Sequence, residues 1–327
     1  MNPIVEEKIG FKAPIVMGVL GFIVLLFFGF LGKEGDVEFQ LSRRQDVIQL
    51  DPIVVEGVML GVFAGALMLL IAAFSTFRAA RNLRTPVWVS SLFGLIGVIA
   101  LLGWLATGAA VPVAFIAGTA LALAVPIIFG SMAGVMSERV GVTNIAIEGQ
   151  LLTGAFMAAV VATITKSFTI GILAAMLTAA IFSMILATFA IKYLAQQIIV
   201  GVVLNVLAVG ITNFLFQQVL KEDSENLNFP GTLDIIRIPL LSDIPILGPV
   251  FFENRATVYL ALIAVPVLWF VMFKTKLGLR ARAVGEHPLA ADTVGINVGR
   301  TRFWWVTLGG AMAGLGGAAL TIGNAGA

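Results

Sequence analysis

The sequence predicts an all-α, polytopic membrane protein, and three observations carry that expectation. Hydrophobic residues fill 59% of the 327 positions and charged residues 12%, with a mean hydropathy of +1.04. That is more apolar surface than one soluble core of this length buries. The apolar residues also fall into about nine stretches of bilayer-crossing length, and basic residues gather in alternate loops between them.

The first stretch, 14–31, follows MNPIVEEKIGFKAP, where Glu6, Glu7, Lys8 and Lys12 precede the apolar run. It is longer than a signal-peptide core and no small-x-small cleavage pattern follows, so it reads as an uncleaved anchor in an unprocessed chain. The others are 52–74, 89–108, 112–136, 150–165, 168–191, 197–219, 257–273 and 303–322. Loop charges orient them. Segment 75–88 carries Arg78, Arg81 and Arg84 with no acid, whereas 32–51 mixes Lys33, Arg43 and Arg44 with Glu34, Asp36, Glu38, Asp46 and Asp51. The first is expected in the cytoplasm and the second outside. Alternation from a cytoplasmic N-terminus then places 220–256, rich in Asp and Glu, outside and the cationic 274–302 inside, so the parity closes.

Spans one to three, residues 1–110, meet the rest at Gly108 to Pro112 and hold nothing polar enough for transport or chemistry. They are expected to form an accessory bundle beside a core over 111–327. The chain stops at LTIGNAGA without a charged tail, which suggests a piece of a longer protein. Pro126 and Pro266 fall inside spans and should kink them. Gly61/Gly65, Gly130/Gly134 and Gly310/Gly314 have GxxxG spacing, for which close helix packing is a sufficient explanation.

Several chemistries are disfavoured. The chain has no cysteine and one histidine, His287, which argues against thiolate metal sites, an HExxH centre or a Ser-His-Asp triad. No catalytic or metal-binding residue is assigned. There is no GxxxxGK[ST] loop, so any ATP and Mg would be bound by another chain and no cofactor is expected here. A net charge of +2 and a pI near 9.0 give no reason to expect nucleic acid.

Three polar segments remain. SERVGVTNIAIEGQLLTGAF, 137–156, places Glu138, Arg139, Asn144, Glu148 and Gln150 between two apolar spans, with Gly141 and Gly149 able to break the helix. It is either a cytoplasmic hairpin whose Glu148 favours a helix N-terminus, or a broken helix dipping into the bilayer that offers Asn144, Glu148 and free backbone groups to a polar solute. The apolar Val140, Val142, Ile145 and Ile147 favour the second. On the span after Leu194, Asn205, Asn213 and Gln217 share one helical face, as helix glue or as hydrogen-bonding groups for a neutral solute. The stretch from Lys274 to Arg302 is too long and basic for a simple connector and has room for its own helix, with Pro288 to start it and Gly295 to end it.

ERVGVTNIAIEGQLLTGAF, QQIIVGVVLNVLAVGITNFLF and TKLGLRARAVGEHPLAADTVGINVGRTR together resemble the permease subunit of a bacterial ATP-binding-cassette importer. The likeness covers about residues 112–327 and is nearest to the nucleoside and simple-sugar branch, related to branched-chain amino-acid permeases. The SER-GV-NI-EG and GEHP-AADT-GIN patterns look most like nucleoside permeases, since sugar permeases usually carry an aspartate-containing first motif. The resemblance implies a type II importer fold, missing some C-terminal helices, in the bacterial inner membrane. It implies a coupling helix docking on an ATPase subunit through Gly285, Glu286, His287, Pro288, Ala290, Ala291, Asp292 and Gly295. Arg280, Arg282, Arg300 and Arg302 would add polar contacts or fix topology against lipid headgroups. A solute path would run along Asn144, Glu148, Gly149, Asn205 and Asn213. Implied partners are two ATPase subunits, a second permease (another copy or a similar chain), an extracytoplasmic solute-binding lipoprotein and membrane lipid, working by alternating access. The competing class is an ion-coupled secondary transporter, against which stands the lack of acid or base deep in the spans.

Overall fold

A computed structural model describes residues 10–43 and 45–325. Glu6, Glu7, Lys8 and Arg44, used above in the charge argument, lie outside the described residues. Among the described residues nine helices are long and apolar enough to cross a membrane. They are α1 (Lys12–Phe30), α2 (Gly57–Ala80), α3 (Val87–Leu105), α4 (Val113–Glu138), α5 (Ile147–Thr165), α6 (Phe168–Lys192), α7 (Gln197–Leu220), α9 (Ala256–Lys274) and α12 (Val298–Asn324). Shorter helices are α8 (Ser224–Leu227), α10 (Lys276–Glu286) and α11 (Pro288–Thr293), and a π-helical turn spans Gly248–Phe252. The expected all-α, multi-pass architecture stands, with small β-ribbons in the long loops.

The second span begins later than expected. Residues 53–56 are not helical but form β2 (Ile53–Glu56), antiparallel to β1 (Asp36–Gln40), which also pairs in parallel with β3 (Ala110–Pro112). Ile53, Val54 and Val55 are β-branched and lie next to Pro52, so the short run prefers extended backbone. At the other end α2 continues to Ala80, which puts Arg78 on its last turn rather than in a loop. A second ribbon, β4 (Ile235–Arg237) with β5 (Glu253–Arg255), is tied by an Arg237–Glu253 ion pair at 3.3 Å.

The chain divides into two compact units, Met1–Ile116 with Asp243–Gly248, and Ala117–Ser242 with Pro249–Ala327. In the first, α1 and α2 touch through glycine: a Cβ on Gly61 or Gly65 would strike the backbone of Phe28 or Leu25. Met17, Val24, Met68, Ile71 and Phe93 build its core.

In the second unit α12 is the central helix, packed against α5 and α6. Its small residues make this possible. A Cβ on Gly310 would collide with Ser183 of α6, and one on Gly317 with the backbone of α5 at Leu151 and Ala155. The Gly310/Gly314 spacing is therefore a close-packing device, whereas a Cβ on Gly130 or Gly134 would meet only side chains at ordinary contact distance, Ile147 at 3.5 Å for both and Leu151 at 3.6 Å for Gly130. Pro126 and Pro266 both sit inside helices, as the sequence requires.

Candidate functional site

The two motif-bearing segments, 137–156 and 274–302, come together at one end of the second unit. Helix α9 stops at Thr275, whose hydroxyl donates to Val271 O at 2.6 Å and accepts from Gly278 N at 3.2 Å, capping the start of α10. Gly278, Ala281 and Val284 give α10 a buried stripe of small residues, with Lys276, Leu277, Leu279 and Arg280 outside. Ala281 of that stripe belongs to a core with Met136, Val140, Val142, Leu186, Met272, Trp305 and Val306. Gly285 passes so close to the Arg139 carbonyl that a Cβ there would collide with it, and Arg302 Nε donates to Val140 O at 3.0 Å.

After His287 the chain turns into α11 with Pro288 at its first positions. It ends in a double hydrogen bond: Gly295 N–H to Asp292 O at 2.9 Å and Ile296 N–H to Ala291 O at 3.0 Å, with Gly295 at φ +83°. This is a Schellman ending, which needs the left-handed conformation that glycine supplies. The expected start and stop of this helix are thus where Pro288 and Gly295 stand.

The outward face of α11 differs from the expected one. Ala291 is only 3% exposed and points back into the chain, so it seats α11 instead of offering a contact to a partner. The face presented outward carries Leu289 and Val294, 82% and 74% exposed, with Ala290, Asp292 and Thr293 exposed as well. Glu286 and His287 are also exposed. The sequence reading passed over Leu289 and Val294, because a helix of under two turns shows no periodicity from which to tell its faces.

Segment 139–146 is non-helical and runs inward along α7. Thr143 N–H donates to Gln197 Oε1 at 2.6 Å, a Cβ on Gly201 would lie 2.7 Å from Ile145 Cβ, and Gly149 N–H donates to Asn205 Oδ1 at 2.8 Å. Since α7 starts at Gln197, the first turn of α5 lies about two turns, roughly 12 Å, further along α7 than its start. Residues 139–146 thus break the helix between α4 and α5, with Val140, Val142, Asn144 and Ala146 buried and Gly141, Thr143 and Ile145 exposed.

Its polar side chains do two different things. Asn144, 6% exposed, accepts from Ala146 N–H at 3.0 Å and donates to Gln150 Oε1 at 3.1 Å. Gln150 Nε2 donates to Ser183 Oγ at 3.1 Å, and Ser183 donates to Val306 O at 2.8 Å. This buried chain ties the 139–146 segment to α5, α6 and α12. Asn205 caps α5 from outside: besides Gly149 N–H, it serves Ile145 O through its Nδ2 at 2.9 Å. In this structure Asn144 and Gly149, both expected on the solute path, are buried and position the segment; a Cβ on Gly149 would meet Asn205 Oδ1 at 2.9 Å and Ala208 at 3.0 Å. Glu148 and Asn213 are exposed, and their side chains have no hydrogen-bond or ion-pair partner among the described residues. Asn213 belongs to a face of α7 with Val206, Val209, Gly210 and Gln217, all exposed. Ser183 gave no signal in sequence, being one hydroxyl in an apolar span.

Comparison with known proteins follows from this geometry. The family described as branched-chain amino acid transport system / permease component matches residues 116–326. Over 201 residues the chain is 38% identical to the nucleoside ABC transporter permease protein NupC of Lactococcus lactis subsp. cremoris, covering 59% of this chain and 62% of the relative. It is 39% identical over 204 residues to the guanosine ABC transporter permease protein NupQ of Bacillus subtilis, covering 60% and 64%. With the putative glucose ABC transporter permease protein TsgC13 of Haloferax volcanii it shares 34% over 196 residues, covering 60% and 59%. The matched region thus spans about three fifths of each relative's length. No solved structure matches the chain.

Proposed function

Because the chain belongs to the branched-chain amino acid transport system / permease component family, we propose that it is the membrane-spanning permease subunit of an ATP-driven importer for nucleosides or simple sugars. Nucleosides are the first choice, since two of the similar chains are named for nucleoside and guanosine transport and one for glucose. In this reading the subunit does no chemistry of its own. ATP and Mg bind a partner ATPase, and a second permease and an extracytoplasmic solute-binding lipoprotein complete the machine in the bacterial inner membrane. The end bearing α10 and α11 faces the cytoplasm, as the cation excess of 274–302 requires.

The observation that carries the proposal is the α10–α11 element. It projects a short helix with two large apolar side chains, Leu289 and Val294, into the surroundings, while its roots are fixed: Gly285 against Arg139, Arg302 on Val140, and Ala281 in the core that includes Val306 of α12. A push on α11 therefore reaches the 139–146 segment and α12 together. Through Asn144, Gln150 and Ser183 the same push reaches α5 and α6. Movement of the ATPase subunits then re-aims the helices that flank the solute path, which is what alternating access needs. The path itself is assigned to Glu148, Asn213 and the exposed edge of Asn205, the polar groups left open on α5 and α7.

The test is ATP-dependent uptake of labelled guanosine by the complete transporter carrying Leu289→Glu or Glu148→Gln. Loss of coupling in the first and altered substrate affinity in the second, with normal membrane insertion, are expected. Unchanged uptake in both would remove the docking and path assignments.

A further inference from the structure

We infer that the second unit binds an anionic phospholipid in a groove between α4 and α9, with its phosphate held by Arg139, Arg282 and Lys274. The groove, of about 430 Å³, is lined by Ile127, Val135, Val265, Trp269, Phe273 and neighbours that are almost wholly apolar. Ile127, Val135, Trp269 and Phe273 are large and exposed. A cleft of this kind on a membrane-facing surface takes an acyl chain.

One end of the groove is charged. Val135 and Phe273 lead from it to the cations. The Arg139 guanidinium lies 5.8 Å and that of Arg282 5.3 Å from the centre of the Phe273 ring, and Lys274 Nζ stands 5.6 Å from the Trp269 ring. Val135 also lines the adjacent polar hollow of about 280 Å³ with Glu138 and Arg139. Glu138 is the carboxylate facing this group, so the cluster keeps an excess of positive charge.

Arg282 is a cation without a counter-charge: its Nε is enclosed by protein and has no hydrogen-bond partner, and the guanidinium has no ion-pair partner among the described residues. A guanidinium charge without a counter-ion gains from an adjacent phosphodiester, which the fork of its terminal nitrogens suits. Chain groove, aromatic collar and unsatisfied cation lie in the order of a phospholipid's tail, glycerol and headgroup, at the end of the helices where the loops are basic. A free phosphate would satisfy Arg282 but would leave the apolar groove without an occupant, so the lipid is the occupant assigned.

Native mass spectrometry of the full complex in detergent, titrated with dioleoylphosphatidylglycerol or dioleoylphosphatidylcholine, tests this. The phosphatidylglycerol should be retained about tenfold more tightly, as a small cluster of cations near an anionic headgroup provides. Arg139→Gln with Arg282→Gln should reduce that preference to near unity. Val135→Trp, which fills the groove and leaves every charge in place, should weaken binding of both lipids, and it keeps the proposal testable if the arginine variant fails to assemble. Inorganic phosphate at millimolar concentration should not displace the lipid. Equal retention of the two lipids by the parent protein, or an undiminished preference in the double arginine variant, would overturn the inference. Displacement by phosphate would also overturn it, marking a site for a soluble anion.

Discussion

Leu289→Glu separates docking from folding. In the isolated chain Leu289 is 82% exposed, so the substitution touches nothing and should change its stability by no more than about 0.5 kcal/mol. If α11 seats in a groove of an ATPase subunit, that same leucine is buried in the complex, where an apolar side chain of its size contributes about 2 kcal/mol. Losing it weakens association about 30-fold, and desolvating the new carboxylate adds to the loss. Two residues further on, Ala291 is 3% exposed, so Ala291→Glu forces a charge into the seat of α11 and costs several kcal/mol in the isolated chain itself. The pair is therefore distinguished by the stability of the isolated chain. Leu289→Glu leaves the melting temperature of the purified chain within about 2 °C of the parent but abolishes ATPase co-purification and ATP-dependent uptake; Ala291→Glu lowers the melting temperature as well. Retention of the ATPase by the Leu289 variant, with uptake intact, would refute the claim that α11 docks.

Other substitutions probe the scaffold and the path. Gln150→Leu leaves the Asn144 amide without its acceptor and removes the donor to Ser183 Oγ, and thermal unfolding should show a loss of about 1–3 kcal/mol. Gly295→Ala places a Cβ at φ +83° and should cost about 1 kcal/mol locally, seen as faster amide exchange at Gly295 and Ile296. Gly314→Leu would drive a side chain into the Ala175 backbone and should abolish accumulation of folded protein, while Gly130→Ala, with only Ile147 and Leu151 side chains beyond 3.4 Å, should be tolerated. Asn205→Leu removes the cap on Gly149 N–H as well as the bond to Ile145 O, and should destabilise the chain by about 1–2 kcal/mol in addition to any effect on transport.

Much of the fold was legible because a bilayer fixes element length and demands internally bonded backbone. All nine spans and the extra helix in the basic stretch could be read from apolar runs, Pro288 and Gly295. The start of α2 could not, since four apolar residues look alike as strand or helix until a partner such as Asp36–Gln40 is known. Side-chain roles were less accessible still. Asn144 reads from the sequence as a solute-facing group and Asn205 as helix glue or a solute ligand, and the contacts that place them are with Gln150 and Gly149, the latter 56 positions away from Asn205. The family resemblance places Ala291 among the docking residues, whereas its small side chain here packs inward.

The central claim, a subunit of an ATP-driven importer, is tested most directly in proteoliposomes holding the complex retrieved through a tag on this chain. The account predicts labelled nucleoside uptake that requires ATP and the solute-binding protein and continues when ionophores dissipate every ion gradient. Uptake that persists without ATP and collapses with the ion gradient would contradict it.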